Sequence, residues 1–256
     1  MDYKNINLEN RGGITSLVIN RPPVNVIDFA TLLEINAALA ELAADAATKV
    51  LLIRGSGEKA FCAGIEVQDH VGEMMPKMMR EFGKMFGLLR ALGKPSIAVV
   101  NGIALGGGCE LVAGCDLAVA AEHAKLGQPE IQLGGLAPAA AALFPRMMPR
   151  KKGFELVLLG DSISAAEAAR IGLVNKVVPA AEIDTAAGEM AAKYLKMSGL
   201  AVRLCREAFY QCADTADPAA ALDKATELGI GTWETHDGQE GLKAFLEKRK
   251  PDWQEK

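Results

Sequence analysis

The stretch "NGIALGGGCELVAGCD", residues 101–116, sets one charged side chain, Glu110, directly behind three glycines in an otherwise apolar run. Between Lys94 and Asp116 no other side chain carries a charge. Burying a carboxylate without a partner is unfavourable, and the usual response is a shifted pKa. A glycine run that feeds a helix also leaves main-chain N–H groups bare, and these groups favour negative charge. The stretch has neither the GxxxxGK[ST] of a P-loop nor the GxGxxG of a dinucleotide fold. A carboxylate one turn into the helix would repel a phosphate. A neutral carbonyl that becomes an oxyanion during reaction fits better, and each well-placed donor stabilises such a charge by about 3–4 kcal/mol.

Working outward, "AFCAGIE", residues 60–66, puts small residues and a glycine after a buried strand, where a main-chain N–H can approach a ligand. A second isolated acid, Glu130, lies in "LGQPEIQLGG", residues 126–135, behind the fixed backbone of Pro129. Two loops offer N–H donors and two carboxyls offer proton traffic. Adding water to a C=C conjugated to a carbonyl needs such a set: one carboxylate takes a proton from water, a second acid protonates the α-carbon, and the N–H pair holds the enolate oxygen. Each part alone also has a plain reading. Glu110 can serve the helix dipole, Glu130 a loop salt bridge, and the glycines a tight packing site.

The chain has 256 residues, half of them hydrophobic, with a net charge of -4. That composition suits a compact α/β core and excludes disorder as the ground state. The longest basic run is "RKK", Arg150–Lys152. It reads as a solvated helix start, with neutralisation of a phosphorylated ligand as the alternative, and the acidic balance argues against nucleic acid. Five cysteines (Cys62, Cys109, Cys115, Cys205, Cys212) without a CxxC point to reduced thiols in a cytoplasmic protein. Cys109 is read as a small core residue rather than a nucleophile. Three histidines in no ligand spacing argue against a metal. The polar start lacks a signal-peptide pattern, and the acids within residues 97–121 argue against a membrane span.

Periodicity predicts strands over 14–20, 50–55, "PSIAVVNG", "DLAVAA" and "LVNKVV". It predicts helices over 31–47, with Thr31 as the cap, and over 73–92, 139–144 and 152–159; Pro145 and Pro149 separate the last two. "SAAE", Ser164–Glu167, is a capping-box signature. From Ala180 onward nearly everything is helix-periodic. Strand–helix alternation followed by a helical tail implies an α/β core and an all-α C-terminal segment.

Several long segments together carry a resemblance: "INRPPVNV", "KAFCAGIEV", residues 94–134, "GDSISAAEAARIGLVNKVV" and "EGLKAFLEKRKPDW". The chain resembles the enoyl-CoA hydratase/isomerase (crotonase) superfamily over nearly its whole length. The resemblance implies a spiral core of repeated ββα units over residues 1–197. It also implies a C-terminal helical segment, 198–256, that supports trimers which often pair into hexamers. It implies a coenzyme A thioester substrate and no metal or redox cofactor. By that resemblance Ala63 and Gly107 supply the oxyanion-hole N–H groups, Glu110 activates water, and Glu130 protonates the α-carbon. The loop Ala60–Glu66 (with Ala63, Gly64 and Ile65) holds the CoA moiety, and Val24 is a weaker candidate for the same role. "GLAPAAAALFPR", residues 135–146, departs from the P-G-x-G-G-T pattern of common short-chain hydratases. Pro138 replaces a glycine there, and the alanines reshape the acyl wall. This segment resembles hydratases of cyclic dienoyl-CoA thioesters, of the cyclohexa-1,5-diene-1-carbonyl-CoA type, in anaerobic aromatic-acid degradation. Linear enoyl-CoA hydration, isomerisation or decarboxylation on the same scaffold, and non-catalytic CoA-thioester binding are the alternatives.

Overall fold

The computed structural model describes residues 3–256. In chain order the strands are β1 (Ile6–Arg11), β2 (Ile14–Ile19), β3 (Val50–Gly55), β4 (Ala60–Cys62), β5 (Ser96–Val100), β6 (Ile103–Leu105), β7 (Leu117–Ala121), β8 (Lys125–Gly127), β9 (Ser162–Ser164) and β10 (Lys176–Val178). The helices are α1 (Phe29–Ala44), α2 (Met74–Ala91), α3 (Gly107–Gly114), α4 (Pro138–Met147), α5 (Arg150–Leu159), α6 (Ala165–Arg170), α7 (Ile183–Tyr194), α8 (Gly199–Ala213), α9 (Pro218–Glu234) and α10 (His236–Leu246).

The strands form two sheets. The larger runs β1-β2-β3-β5-β7-β10, antiparallel only between β1 and β2. The smaller runs β4-β6-β8-β9, antiparallel only between β8 and β9. Each turn of the spiral lays one strand in each sheet before the chain moves on: β3 then β4, β5 then β6, β7 then β8. This is the ββα repeat that the resemblance implied.

The larger sheet is covered on both faces, which is why β3, β5 and β7 are continuous apolar runs rather than alternating ones. One face packs with α1, α2 and α3 around Leu17, Ile53, Phe61, Leu89 and Leu111. The other buries Val50, Ile97, Val99 and Val119 against Ile183, Ala187 and Ala191 of α7.

Three local expectations change. The cap of α1 is Asp28, whose carboxylate accepts the Thr31 N–H at 2.8 Å; Thr31 is the donor and is itself fully buried. Pro145 lies inside α4, which runs on to Met147. Pro145 falls in the last turn, where one lost helical bond is tolerated more easily than at mid-helix. "LVNKVV" contributes only three strand residues, at the sheet edge against β7. The "SAAE" signature forms as read, with Ser164 Oγ accepting the Glu167 N–H at 3.2 Å.

Helices α8–α10 form the C-terminal segment. No residue of α8 or α9 is fully buried within the chain. A polar cluster docks α8: Asp116 accepts from Arg206 Nε at 2.9 Å, Tyr210 Oη at 2.6 Å and the Ser96 N–H at 2.8 Å. Among the described residues no helix is long and apolar enough to cross a membrane.

Candidate active site

The β6–α3 turn builds the centre of the site. Gly106 has φ +54, a left-handed conformation that favours glycine, and a Cβ there would sit 2.7 Å from Glu130 Oε1. A Cβ on Gly108 would land on the Cys62 carbonyl oxygen, so that position too requires glycine. Gly107 opens α3, and its N–H therefore stands outside the helical ladder. A Cβ on Gly107 would lie 2.7 Å from Ile65 Cγ1, which fixes how closely the loop after β4 approaches the helix start.

That loop does not present the donor the sequence suggested. The Ala63 N–H already donates to Val24 O at 2.9 Å. Ile65 instead pairs with Ile27 as a parallel bridge: the Ile27 N–H donates to Gly64 O and the Glu66 N–H donates to Ile27 O, both at 2.9 Å. In such a pairing the bonds go to the residues flanking Ile65, and its own N–H points away. Among the described residues that N–H has no partner, and it lies beside Gly107. Nothing in the "CAGIE" spelling distinguishes these amides, because the choice is made by a distant segment. Ala60 is also corrected as a ligand contact: it is 0% exposed, and its carbonyl accepts from Asn25 Nδ2 at 2.8 Å. Ala63, Ile65 and Glu66 are half-buried at the loop surface, Gly64 is buried, and Val24 is half-buried with its carbonyl engaged by Ala63.

Glu110 sits in the first turn of α3 and is 1% exposed. Its Oε1 accepts the Ala140 N–H at 2.8 Å, so the carboxylate faces the N-terminus of α4. Pro138 is the first residue of α4, where an N–H would be unpartnered in any case; the missing donor therefore matters little there. Burial pushes the Glu110 carboxyl up to about 7. The Ala140 N–H opposes that rise, and the charge of Glu130 adds to it.

Glu130 lies on the 3₁₀ turn Pro129–Leu133, half-buried, with Oε2 buried and unpartnered. Burial raises its proton affinity too, while the nearby His70 lowers it. Burial thus disfavours the charged form of both carboxyls, and the charge of Glu130 adds to the rise at Glu110. Cys109, between Gly108 and Glu110, is fully buried. Burial first, then the two carboxylates, keep it a thiol, so it is no nucleophile.

Gln128 was not singled out from the sequence. It is 1% exposed, two residues before Glu130, and neither polar atom of its amide has a partner. Among the described residues no cluster of three metal-ligating side chains occurs. The "RKK" segment opens α5 with Arg150 over the Phe154 ring and Lys152 paired with Glu155 and Glu167.

The fold and this pair of carboxyls beside a glycine-opened helix define a crotonase-type protein. The enoyl-CoA hydratase/isomerase family profile matches residues 9–256, and the chain belongs to that family. A crotonyl-CoA hydratase of Syntrophomonas wolfei is 41% identical, covering 99% of both chains. A short-chain-enoyl-CoA hydratase of Clostridium acetobutylicum is 36% identical, covering 98% of this chain and 97% of its own. Among solved structures, an enoyl-CoA hydratase from Bacillus anthracis superposes with a TM-score of 0.94 at 34% identity, covering 99% of this chain and all of that one.

Proposed function

We propose that this protein is a hydro-lyase that adds water across the conjugated double bond of an acyl-CoA thioester. The observation that carries the reading is the bracketing of the Gly106–Gly107 turn. Ile65 and Gly107 offer main-chain N–H groups there, Glu130 Oε1 lies against Gly106, and the buried Glu110, one turn into the helix that Gly107 opens, feels the charge of Glu130.

The thioester oxygen accepts from the N–H groups of Ile65 and Gly107. Ionised Glu110 removes a proton from water as its oxygen bonds to the β-carbon. The electron pair of the C=C moves through the α-carbon to the thioester oxygen, and the donor pair stabilises that charge. Glu130, protonated, delivers its proton to the α-carbon as the carbonyl reforms. The reaction begins with the singly protonated pair and ends with the proton on the other carboxyl, so one exchange with solvent resets it. The loop Ala63–Glu66 and Val24 border the CoA moiety. The acyl-CoA is the substrate, and no metal or redox group has a step in this scheme.

The acyl group we assign is a cyclic dienoyl thioester of the cyclohexa-1,5-diene-1-carbonyl type, which places the enzyme in aromatic-acid degradation. Its support is the alanine run of α4, whose first turn contacts Glu110 through Ala140 and carries only small side chains there. The second reading is hydration of a short linear enoyl-CoA, favoured by the crotonyl-CoA hydratase related to this chain end to end. We further assign to contacts between copies, as a trimer or a pair of trimers in the cytoplasm, the exposed Phe209, Trp233 and Phe245 of α8–α10.

A turnover screen in H₂¹⁸O and D₂O tests the reaction. Hydration puts one ¹⁸O on the β-carbon and one deuterium on the α-carbon. Deuterium without ¹⁸O means isomerisation and overturns the reading. Parallel cyclic dienoyl and crotonyl thioesters decide the acyl group by the ratio of their kcat/KM values.

A further inference from the structure

Asn25 is 0% exposed and holds φ +54, a left-handed conformation that asparagine adopts more readily than most side chains. It lies in the turn after β2, and its own N–H donates to Arg21 O at 2.8 Å to close that turn. Its side-chain amide is fully satisfied. Nδ2 donates to Ser56 O at 2.9 Å and to Ala60 O at 2.8 Å. Oδ1 accepts from Ser56 Oγ at 2.9 Å and from the Arg21 N–H at 3.2 Å. Among the described residues every side-chain hydrogen bond between segments 21–27 and 55–60 involves this amide. The fit is close, since a Cβ on Gly55 would lie 2.5 Å from Asn25 Nδ2. Asn101 holds the same β3–β4 turn from another direction, donating to Gly55 O at 3.1 Å and Gly57 O at 2.6 Å.

The residues on either side of this anchor decide which amides of the next loop are free. Val24 O takes the Ala63 N–H, and Ile27 donates to Gly64 O while accepting the Glu66 N–H, all at 2.9 Å. Gly64, at φ +117, turns the chain between Ala63 and Ile65. One amide is thereby consumed by the 21–27 segment and the other is left without a protein partner. We propose that Asn25 is a positioning residue that selects the loop donor of the oxyanion site: by pinning residues 21–27 to the β3–β4 turn, it keeps the Ala63 N–H occupied and the Ile65 N–H free for the thioester oxygen. This rests on the hydratase reading of the same site. Asn25 touches neither substrate nor reacting atoms; it acts through Val24 and Ile27. A buried network whose every member is satisfied has one arrangement, and a donor held that way needs no reordering when charge develops on the oxygen.

Asn25→Gly and Asn25→Asp test the proposal in the full chain with crotonyl-CoA. Glycine keeps the left-handed backbone and removes the amide. Aspartate keeps the size and the acceptors and removes both Nδ2 donors. Thr48→Val deletes the buried 2.7 Å bond to Thr15, at the other end of β2, and controls for lost stability alone. Misplacing one oxyanion donor predicts a kcat lower by about ten- to a hundredfold, with KM changed far less. Two readouts need no turnover. The infrared carbonyl stretch of bound butyryl-CoA, labelled with ¹³C at its carbonyl, lies below its free value in wild type and moves back toward it in both Asn25 variants. Hydrogen exchange of the peptide carrying Ala63, read by mass spectrometry, becomes faster. If both variants match Thr48→Val in kcat, carbonyl stretch and exchange, the proposal is overturned while the hydratase reading stands. A fall in kcat that only tracks melting temperature, with the carbonyl stretch unmoved, overturns it equally. If wild type turns over no enoyl thioester, the functional reading fails, and the exchange of the Ala63 peptide still decides: faster exchange upholds the pinning by Asn25, and unchanged exchange overturns it.

Discussion

Replacing Glu110 by Gln separates the chemistry of this site from its energetics. The carboxyl is 1% exposed, and burial moves it from 4.5 to about 7. The folded state therefore binds this proton more tightly than the unfolded chain does. Stability falls as pH rises from about 4.5 and levels off above about 7, and the integrated loss is about 3 kcal/mol at about 1.4 kcal/mol per tenfold. Glutamine carries no charge at any pH and keeps a side-chain oxygen for the Ala140 N–H. Glu110→Gln is then expected to match wild type near pH 4.5 and to exceed it by about 3 kcal/mol at pH 8, or roughly 5–10 °C in Tm. Hydration falls by at least about a hundredfold, because the general base is gone. The assay is urea unfolding at both pH values and one fixed protein concentration, with turnover measured in parallel. A stability difference that is the same at both pH values, or a variant less stable at pH 8, refutes the reasoning.

Three further outcomes are expected. The pH profile of kcat/KM is bell-shaped, because the reactive form is the singly protonated pair; Glu130→Gln, which cannot donate a proton, loses at least about a hundredfold in kcat and leaves a single acidic limb. Gly108→Ala forces a methyl group onto the Cys62 carbonyl, and its Tm falls by several degrees with loss of activity, measured by thermal scanning and turnover. Asp116→Asn leaves the guanidinium of Arg206, whose side chain is 8% exposed, without its carboxylate; this destabilises the docking of α8 by about 3–5 kcal/mol, and limited proteolysis then cuts near residue 198 before the core is attacked.

Much of this was legible in the sequence for identifiable reasons. β3, β5 and β7 stand out because both faces of their sheet are covered, which leaves unbroken apolar runs. α1 stands out by its 3.6-residue period. The strands of the smaller sheet are three residues long, too short for any period to register, so the second layer was invisible. β1 is an edge strand with mostly exposed side chains, so its residues registered only as part of a polar start. Glu110 was legible because a lone charge in an apolar run is itself a signal. Ile65 was not, since its N–H is freed only by the pairing of Ile27 with the loop. Gln128 was hidden for a related reason: an unpaired amide is a property of the packed structure, not of a spelling.

The placement of the thioester oxygen tests the account most directly. A crystal structure with a saturated acyl-CoA, which binds but cannot be hydrated, should put that oxygen about 2.7–3.1 Å from the main-chain nitrogens of both Ile65 and Gly107. The carboxyls of Glu110 and Glu130 should both reach the α- and β-carbons, directly or through one water. An oxygen bound to the Ala63 nitrogen instead, or a carboxyl turned away from both carbons, would contradict it.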